Sequence, residues 1–212
     1  MTERGMIFNA EMVRAILDGR KTQTRRIMKV QPESNQLGLL LITDSTKHSD
    51  IGKYHWAESN ATGNHVRSKL FSCPFGAVGD RIWVRETWAR YNIDQNSHDI
   101  AYRATTPEDW PEEGRWRPSI HMPRWASRIL LEITDVRVER LNSIHDVDAM
   151  REGIQNLTTC SHADFGIPGV VNAQHPVRAF QLLWESIYGA DSWRANQWVW
   201  VIEFKRVEGG AA

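Results

Sequence analysis

The sequence predicts an α+β fold, because segments with the alternating apolar pattern of strands are interspersed with segments that have helical periodicity. The strand patterns cover residues 81–88, 100–102, 127–141 and 197–207, and the helical patterns cover residues 10–18, 144–152 and 176–188. With 41% hydrophobic and 25% charged residues in 212, the composition is that of one elaborated globular domain.

The first helix is predicted to begin after Asn9, whose side chain suits a helix N-cap. Its apolar face is formed by Met12, Val13, Ile16 and Leu17. Gly19 is expected to end it, since glycine readily adopts the positive φ that follows many helices.

A basic segment follows this helix directly. Arg20, Lys21, Arg25 and Arg26 surround the hydroxyl of Thr24, and the segment is too polar for a core strand. Such a composition suits the binding of an anion or a nucleobase, although a solvated basic turn explains it equally well.

The strand at residues 127–141 is predicted to contain a bulge or bend near Thr134. Ile129, Leu131 and Ile133 share one face, but Val136 and Val138 continue the alternation in the opposite phase. The last helix is expected to start with Pro176 and to stop at Gly189. Its apolar side is formed by Val177, Phe180, Leu183, Trp184 and Ile187.

Residues 31–72 are rich in small polar side chains, and they predict a mobile excursion with a short strand at residues 39–42.

A second basic stretch lies at residues 115–128. It contains Arg115, Arg117, Arg124, Arg128 and His121 without an acidic residue, whereas the net charge of the chain is zero. Local basic stretches on a neutral protein are typical of proteins that bind one nucleotide or a short strand, and a solvated loop is the alternative. Trp116 and Trp125 lie in this stretch and Trp110 lies just before it, all among prolines. The three rings could form a base-stacking platform or a lid that packs on the domain.

No apolar run is long enough to cross a bilayer, and the N-terminus lacks a hydrophobic signal core, so we expect a cytoplasmic protein without a membrane partner. Cys73 and Cys160 are isolated, which predicts neither a disulfide nor a zinc site, and we expect no metal or other cofactor. Gly-rich phosphate loops, His-Glu-x-x-His helices and Gly-x-Ser-x-Gly elbows are absent from the sequence.

The run Gly19, Lys21, Thr24 and Arg25 or Arg26 resembles the Gly-x-Lys-x-x-Thr-x-Arg signature of the ASCH domain, a small PUA-like β-barrel. Residues 79–84, 143–153 and 198–205 resemble further segments of the small bacterial 4-acetylcytidine amidohydrolases of that superfamily, in the same order. The resemblance covers residues 6–30, 76–88, 127–153 and 176–207. It implies a single ASCH-like domain, 1–212, with insertions at about 31–75, 89–126 and 154–175. Long forms of this kind resemble proteins encoded by prophages.

The resemblance implies acyl transfer, with Thr24 as the nucleophile, Lys21 as its base and Glu152 as the acid. A lysine that is partly buried among arginines has a lowered pKa, which favours the neutral amine that a base must be. Glu152 is expected in the last turn of a helix, where the helix dipole favours a protonated carboxyl group.

Glu86 and Glu132 compete with Glu152 for the role of acid. Glu86 is in phase with apolar residues of its strand, so it needs a buried partner, and an ion pair with Lys21 is the simplest explanation. Residues expected to bind substrate are Arg20, Arg25, Arg26, Glu86, Trp116, Arg117, Arg124, Trp125 and Arg128.

The first hypothesis is therefore a metal-independent amidohydrolase that acts on an acylated cytidine or a related modified nucleoside. The second is a non-catalytic module that binds RNA or a modified base through the same pocket, and the third is a ribonuclease. The acyl group, the choice between free nucleoside and short RNA, and the oligomeric state are left open by the sequence.

Overall fold

The computed structural model describes residues 1–60, 63–90, 99–111, 113–159 and 162–207, and its fold is α+β with more strands than helices. In chain order the elements are β1 (Glu3–Ile7), α1 (Ala10–Leu17), β2 (Gln23–Ile27), β3 (Gly38–Leu41), β4 (Tyr54–Asn60), β5 (Gly63–Val66), β6 (Arg81–Arg85), β7 (Trp88–Arg90), β8 (Ile100–Tyr102), β9 (Leu130–Arg140), α2 (Asp146–Arg151), β10 (Gln155–Asn156), β11 (Phe165–Ile167), β12 (Val171–Ala173), α3 (Pro176–Tyr188) and β13 (Trp198–Arg206). Short 3-10 helices cover His48–Asp50, Ser119–His121, Arg124–Ala126 and Leu141–Ser143.

A five-stranded sheet in the order β1-β6-β9-β13-β2 forms the centre of the molecule. β1 is parallel to β6, and the other neighbours are antiparallel. β1 and β2 are its two edges, and no ladder among the described residues closes the sheet into a barrel.

Both faces of β13 are buried, because its side chains alternate between two apolar clusters. Trp200, Ile202 and Phe204 pack into a cluster with α1, β1 and β6. Val199 and Val201 pack into a second cluster with α2 and α3. The sheet therefore separates the two main parts of the core, and β13 positions β2 relative to the helices on the second side.

The expected helix boundaries are confirmed for α1 and α3. The Asn9 side chain accepts a hydrogen bond from the Met12 amide at 2.8 Å, and Gly19 follows α1 with a φ of 73°. α3 covers Pro176–Tyr188 and ends at Gly189, whose φ is 95°. α2 covers Asp146–Arg151 and is therefore shorter than the predicted helix at residues 144–152. Its N-cap residue, His145, forms no capping hydrogen bond with its side chain.

The predicted bulge is also confirmed. Glu203 pairs with Asp135 and the next residue, Phe204, pairs with Ile133, which leaves Thr134 as the additional residue of β9.

Residues 31–72 differ from the expected excursion, because they contribute to the core. The short strand predicted there is β3, which joins β4 and β5 in a three-stranded sheet. Trp56 of this sheet is only 1% exposed, and its ring lies 5.3 Å from that of Trp198 on the main sheet.

Candidate functional site

A cavity of about 240 Å³ lies beside β2, where the basic segment of the sequence ends. Its polar lining is formed by Asn9, Thr24, Arg25, Arg26 and Glu152. One apolar wall belongs to α3, and its residues are Phe180, Leu183, Trp184, Ile187 and Tyr188. Ile7 and Met12 complete the lining.

The basic segment is a buried strand and not a solvated turn. The backbone amides of Arg20 and Lys21 both donate to the carbonyl of Ala15 at 2.9 Å, so the chain turns tightly after α1. It then forms β2, in which Thr24 pairs with Ile202 of β13. Lys21, Gln23, Thr24 and Arg25 are at most 3% exposed. The expectation that this sequence is too polar for a strand in the core is therefore wrong, because other elements supply partners for its charges.

Lys21 is paired with Glu152 in the interior. Its Nζ donates to Glu152 Oε2 at 2.7 Å and to the Glu152 backbone carbonyl at 2.8 Å, and its side chain is wholly buried. Burial lowers the pKa of the Lys21 amine; the nearby Glu152 carboxylate opposes this shift, whereas Arg26 and Arg25 add to it. Lys21 thus contacts the cavity wall through Glu152, which ends α2.

Arg25 holds the other oxygen of Glu152. Its Nη1 lies 3.4 Å from Glu152 Oε1, and its Nη2 lies 3.0 Å from Glu139 and 3.2 Å from Asp148. Arg137 extends this network with a 2.6 Å contact to Glu139. The Glu152 carboxylate is therefore fixed between two buried cations.

Thr24 and Arg26 complete the polar side of the cavity. No hydrogen bond joins the Thr24 hydroxyl to another residue in the part of the chain that the structure describes. Arg26 Nη2 donates to the carbonyl of Ile7 at 2.7 Å, and its guanidinium lies 5.2 Å from the centre of the Phe8 ring. Arg26 therefore spans the gap between β2 and the end of β1, the two edge strands.

Arg20 lies near these residues but does not line the cavity. Its guanidinium contacts Asp18 at 2.8 Å and the Gly153 carbonyl at 3.2 Å. Its position stabilises the chain reversal that follows Glu152.

Glu86 does not pair with Lys21, so that expectation is wrong. Both of its carboxylate oxygens accept from Arg128, at 2.9 and 3.0 Å. Burial raises the pKa of Glu86, and Arg128 opposes the shift. Glu132 contacts Lys205 at 3.0 Å. Neither carboxylate lines the Thr24 cavity, whereas Glu152 does.

The second basic stretch is separate from this cavity, since none of the cavity-lining residues belongs to residues 115–128. Arg124 pairs with Glu3 at 2.9 Å, and Arg128 pairs with Glu86. The stretch is therefore not free of neutralising acids, because distant segments supply them. Trp116 stacks on Trp110 with ring centres 4.1 Å apart, while Trp125 is 59% exposed and Arg117 lies over Trp88.

Sequence reasoning missed the contribution of α3 to the cavity, although it recognised the apolar face of this helix. It also missed Glu139 and Asp148, which hold Arg25. Spacing along the chain carries no signal for these carboxylates, since they come from β9 and α2.

Within the described residues, no group of three or more His, Cys, Asp or Glu side chains could hold a metal ion. Cys73 is a free thiol, and burial raises its pKa to about 11; Cys160 lies outside the described residues. The helices among the described residues are all too short or too polar to cross a membrane.

Comparison of the chain with protein-family models, with curated proteins and with solved structures gives no match.

Proposed function

We propose that the protein is an amidohydrolase that removes an acyl group from the exocyclic nitrogen of an acylated cytidine or a related modified nucleoside, without a metal. The observation that carries this proposal is the position of Thr24 and Glu152 in the lining of one cavity, with Lys21 bonded to Glu152. A hydroxyl, an amine and a carboxyl group are the set that acyl transfer requires.

The arrangement of the main sheet supports a PUA-like barrel as the fold behind this site. The edge strands β1 and β2 are joined through the Arg26 side chain rather than through a backbone ladder. Thr134 adds a bulge to β9, and bulges increase the curvature that a closing sheet needs.

In the proposed reaction, the Thr24 hydroxyl attacks the acyl carbonyl carbon and gives its proton to the Lys21–Glu152 pair. The bond from this carbon to the cytosine nitrogen then breaks, and Glu152 protonates the leaving nitrogen. Water attacks the resulting acyl ester, the pair takes a proton from the water, and Thr24 regains a proton as the acid leaves. The guanidinium groups of Arg25 and Arg26 supply positive charge beside the developing oxyanion.

The walls of the cavity fit a substrate that is flat and partly apolar. The centres of the Trp184 and Tyr188 rings are 4.4 Å apart in the lining of the cavity, and other lining residues carry the charged groups. A nucleobase can pack against the aromatic wall while its acyl group reaches Thr24.

A non-catalytic module that binds a modified base is the second candidate. The observation that favours it is the complete burial of Lys21, whose Nζ is already bonded to two oxygens of Glu152. A lysine that remains protonated in this pair would contribute only its charge to the binding of a ligand, because it could not accept a proton as a base.

Incubation of the purified protein with a panel of N4-acylated cytidines and cytosines, followed by mass analysis of the products, tests the proposal. We expect cytidine or cytosine and the free carboxylic acid, with no product from a Thr24→Val variant that retains the fold. Tight binding of the same compounds without turnover would support the binding module. RNA cleavage by the protein, without deacylation, would point to the ribonuclease.

A further inference from the structure

Trp125 presents an indole ring to solvent from a rigid support. It is 59% exposed, although the flanking Ala126 is only 1% exposed. The Tyr102 hydroxyl donates to the Ala126 carbonyl at 2.9 Å, and the buried Trp88 ring meets the Trp125 ring edge to face, with centres 5.7 Å apart. The ring is therefore held in place, so a ligand that stacks on it loses little conformational entropy.

Two arginine side chains lie over the rings of Trp125 and Trp88. The Arg90 guanidinium lies 5.8 Å from the centre of Trp125, and that of Arg117 lies 5.3 Å from the centre of Trp88. Among the described residues neither forms a salt bridge, whereas the charges of Arg124 and Arg128 are matched by carboxylates. Arg90, Arg117, Trp88 and Trp125 are called the Trp125 surface below.

We propose that the Trp125 surface binds a single-stranded nucleic acid, with a base stacked on Trp125 and phosphates beside Arg90 and Arg117. An exposed aromatic ring, flanked by guanidinium groups that form no salt bridge within the described part of the chain, complements the alternating bases and phosphates of a single strand. A duplex hides the faces of its bases, so it cannot use the ring in this way. The net charge of zero restricts attraction for phosphates to local surfaces such as this one.

This inference is independent of the proposed reaction. The residues of the Trp125 surface do not line the Thr24 cavity. Loss of strand binding and loss of deacylation are therefore separate results, and either can fail without the other.

The test is fluorescence anisotropy with a labelled oligouridylate of about ten nucleotides, with the corresponding DNA strand and with a duplex of the same length. Wild-type protein should bind the single strands more tightly than the duplex. Trp125→Leu should weaken binding about tenfold or more, while Trp125→Phe, which keeps a ring, should stay within about threefold of wild type. The RNA and DNA arms identify which strand is preferred.

Arg117→Ala should lower the slope of log affinity against log salt by about 0.7, as the loss of one phosphate contact to a single strand does. Arg194→Ala is the matched control, because that side chain is 90% exposed on another part of the chain. The control should leave both the affinity and the salt slope unchanged.

Absence of single-strand binding by the wild type, equal affinity of the Trp125→Leu variant, or equal weakening by Arg194→Ala would each overturn the proposal. Should Trp125→Leu fail to fold, photocrosslinking of wild-type protein to 5-bromouridine-substituted RNA decides. Crosslinks in the peptides that contain Trp88 or Trp125 support the proposal, and crosslinks confined to other peptides refute it.

Discussion

Replacing Lys21 with methionine should destabilise the protein strongly, although the segment around it is polar. The substitution keeps most of the apolar stem and removes the amine that bonds to Glu152 at 2.7 and 2.8 Å. The sequence alone suggests that this segment lies outside the core and that its substitution leaves the fold intact. The complete burial of the Lys21 side chain leads to the opposite expectation.

The expected magnitude follows from what the substitution leaves behind. Glu152, 3% exposed, would retain Arg25 at 3.4 Å as its charged partner. Breaking a buried ion pair costs about 3–5 kcal/mol, and the remaining arginine places the cost near the lower end, about 3 kcal/mol. For a domain of this size that corresponds to a fall in Tm of roughly 6–12 °C.

The assay is urea unfolding followed by circular dichroism at pH 7, with Lys205→Met as the matched control. Lys205 also contacts a glutamate, at 3.0 Å, but its side chain is 63% exposed, so its loss should cost less than about 1 kcal/mol. The double variant Lys21→Met/Glu152→Gln should be more stable than Lys21→Met alone, because it no longer buries a carboxylate that has lost its lysine and keeps only the longer contact to Arg25. Equal effects of the Lys21 and Lys205 substitutions would refute the buried pair.

Three further outcomes are expected. Thr24→Val should reduce deacylation at least about a thousandfold and change the free energy of unfolding by less than about 1 kcal/mol, since the hydroxyl forms no hydrogen bond with any other described residue; comparable losses of stability and activity would show a structural role. The kcat/KM for deacylation should rise with pH as Lys21 loses its proton, with a midpoint below the ordinary lysine pKa because burial lowers it; a profile that falls with pH would contradict the role of base. The Thr2 and Ala77 amides hold the pKa of Asp80 at about 2, so its stabilisation exists above the unfolded value and is lost as pH falls towards 2. Asp80→Asn should therefore cost about 1–2 kcal/mol at pH 7 and progressively less as the pH falls through about 2 in thermal unfolding, and a constant difference across this range would be inconsistent with the shift.

Local patterns predict much of the fold, because they reflect local backbone chemistry. Pro176 and Gly189 mark the ends of α3, since proline suits a first helical turn and glycine a positive φ. The phase change in the apolar residues of β9 likewise locates the bulge at Thr134.

Polar strands with distant partners are not predicted. β2 reads as a basic loop because the carboxylates that neutralise Arg25 come from Glu139 and Asp148, more than a hundred positions away along the chain. The same limitation explains Glu86, whose partner Arg128 is 42 positions away. Ion pairs between distant segments leave no periodic signal in the sequence.

The candidate site was predictable in part. Lys21 and Thr24 are predicted from the resemblance to the ASCH signature, and Glu152 from the resemblance of residues 143–153 to the amidohydrolases; the structure brings Thr24 and Glu152 into one cavity. The apolar wall was not predicted as part of the site, because the face of α3 is equally typical of a helix that packs on a core. Only the structure, in which α3 lines the same cavity as Thr24 of β2, distinguishes a helix that forms a wall of the site from one that only packs on the core.

The most direct test of the proposed reaction is intact-protein mass spectrometry after rapid acid quenching of the protein with N4-acetylcytidine. We expect a transient species heavier by one acetyl group, and fragmentation should place the group on Thr24. The Thr24→Val variant should show no such species. Release of acetate without any acylated enzyme, or an acetyl group on another residue, would contradict the assignment of Thr24 as the nucleophile.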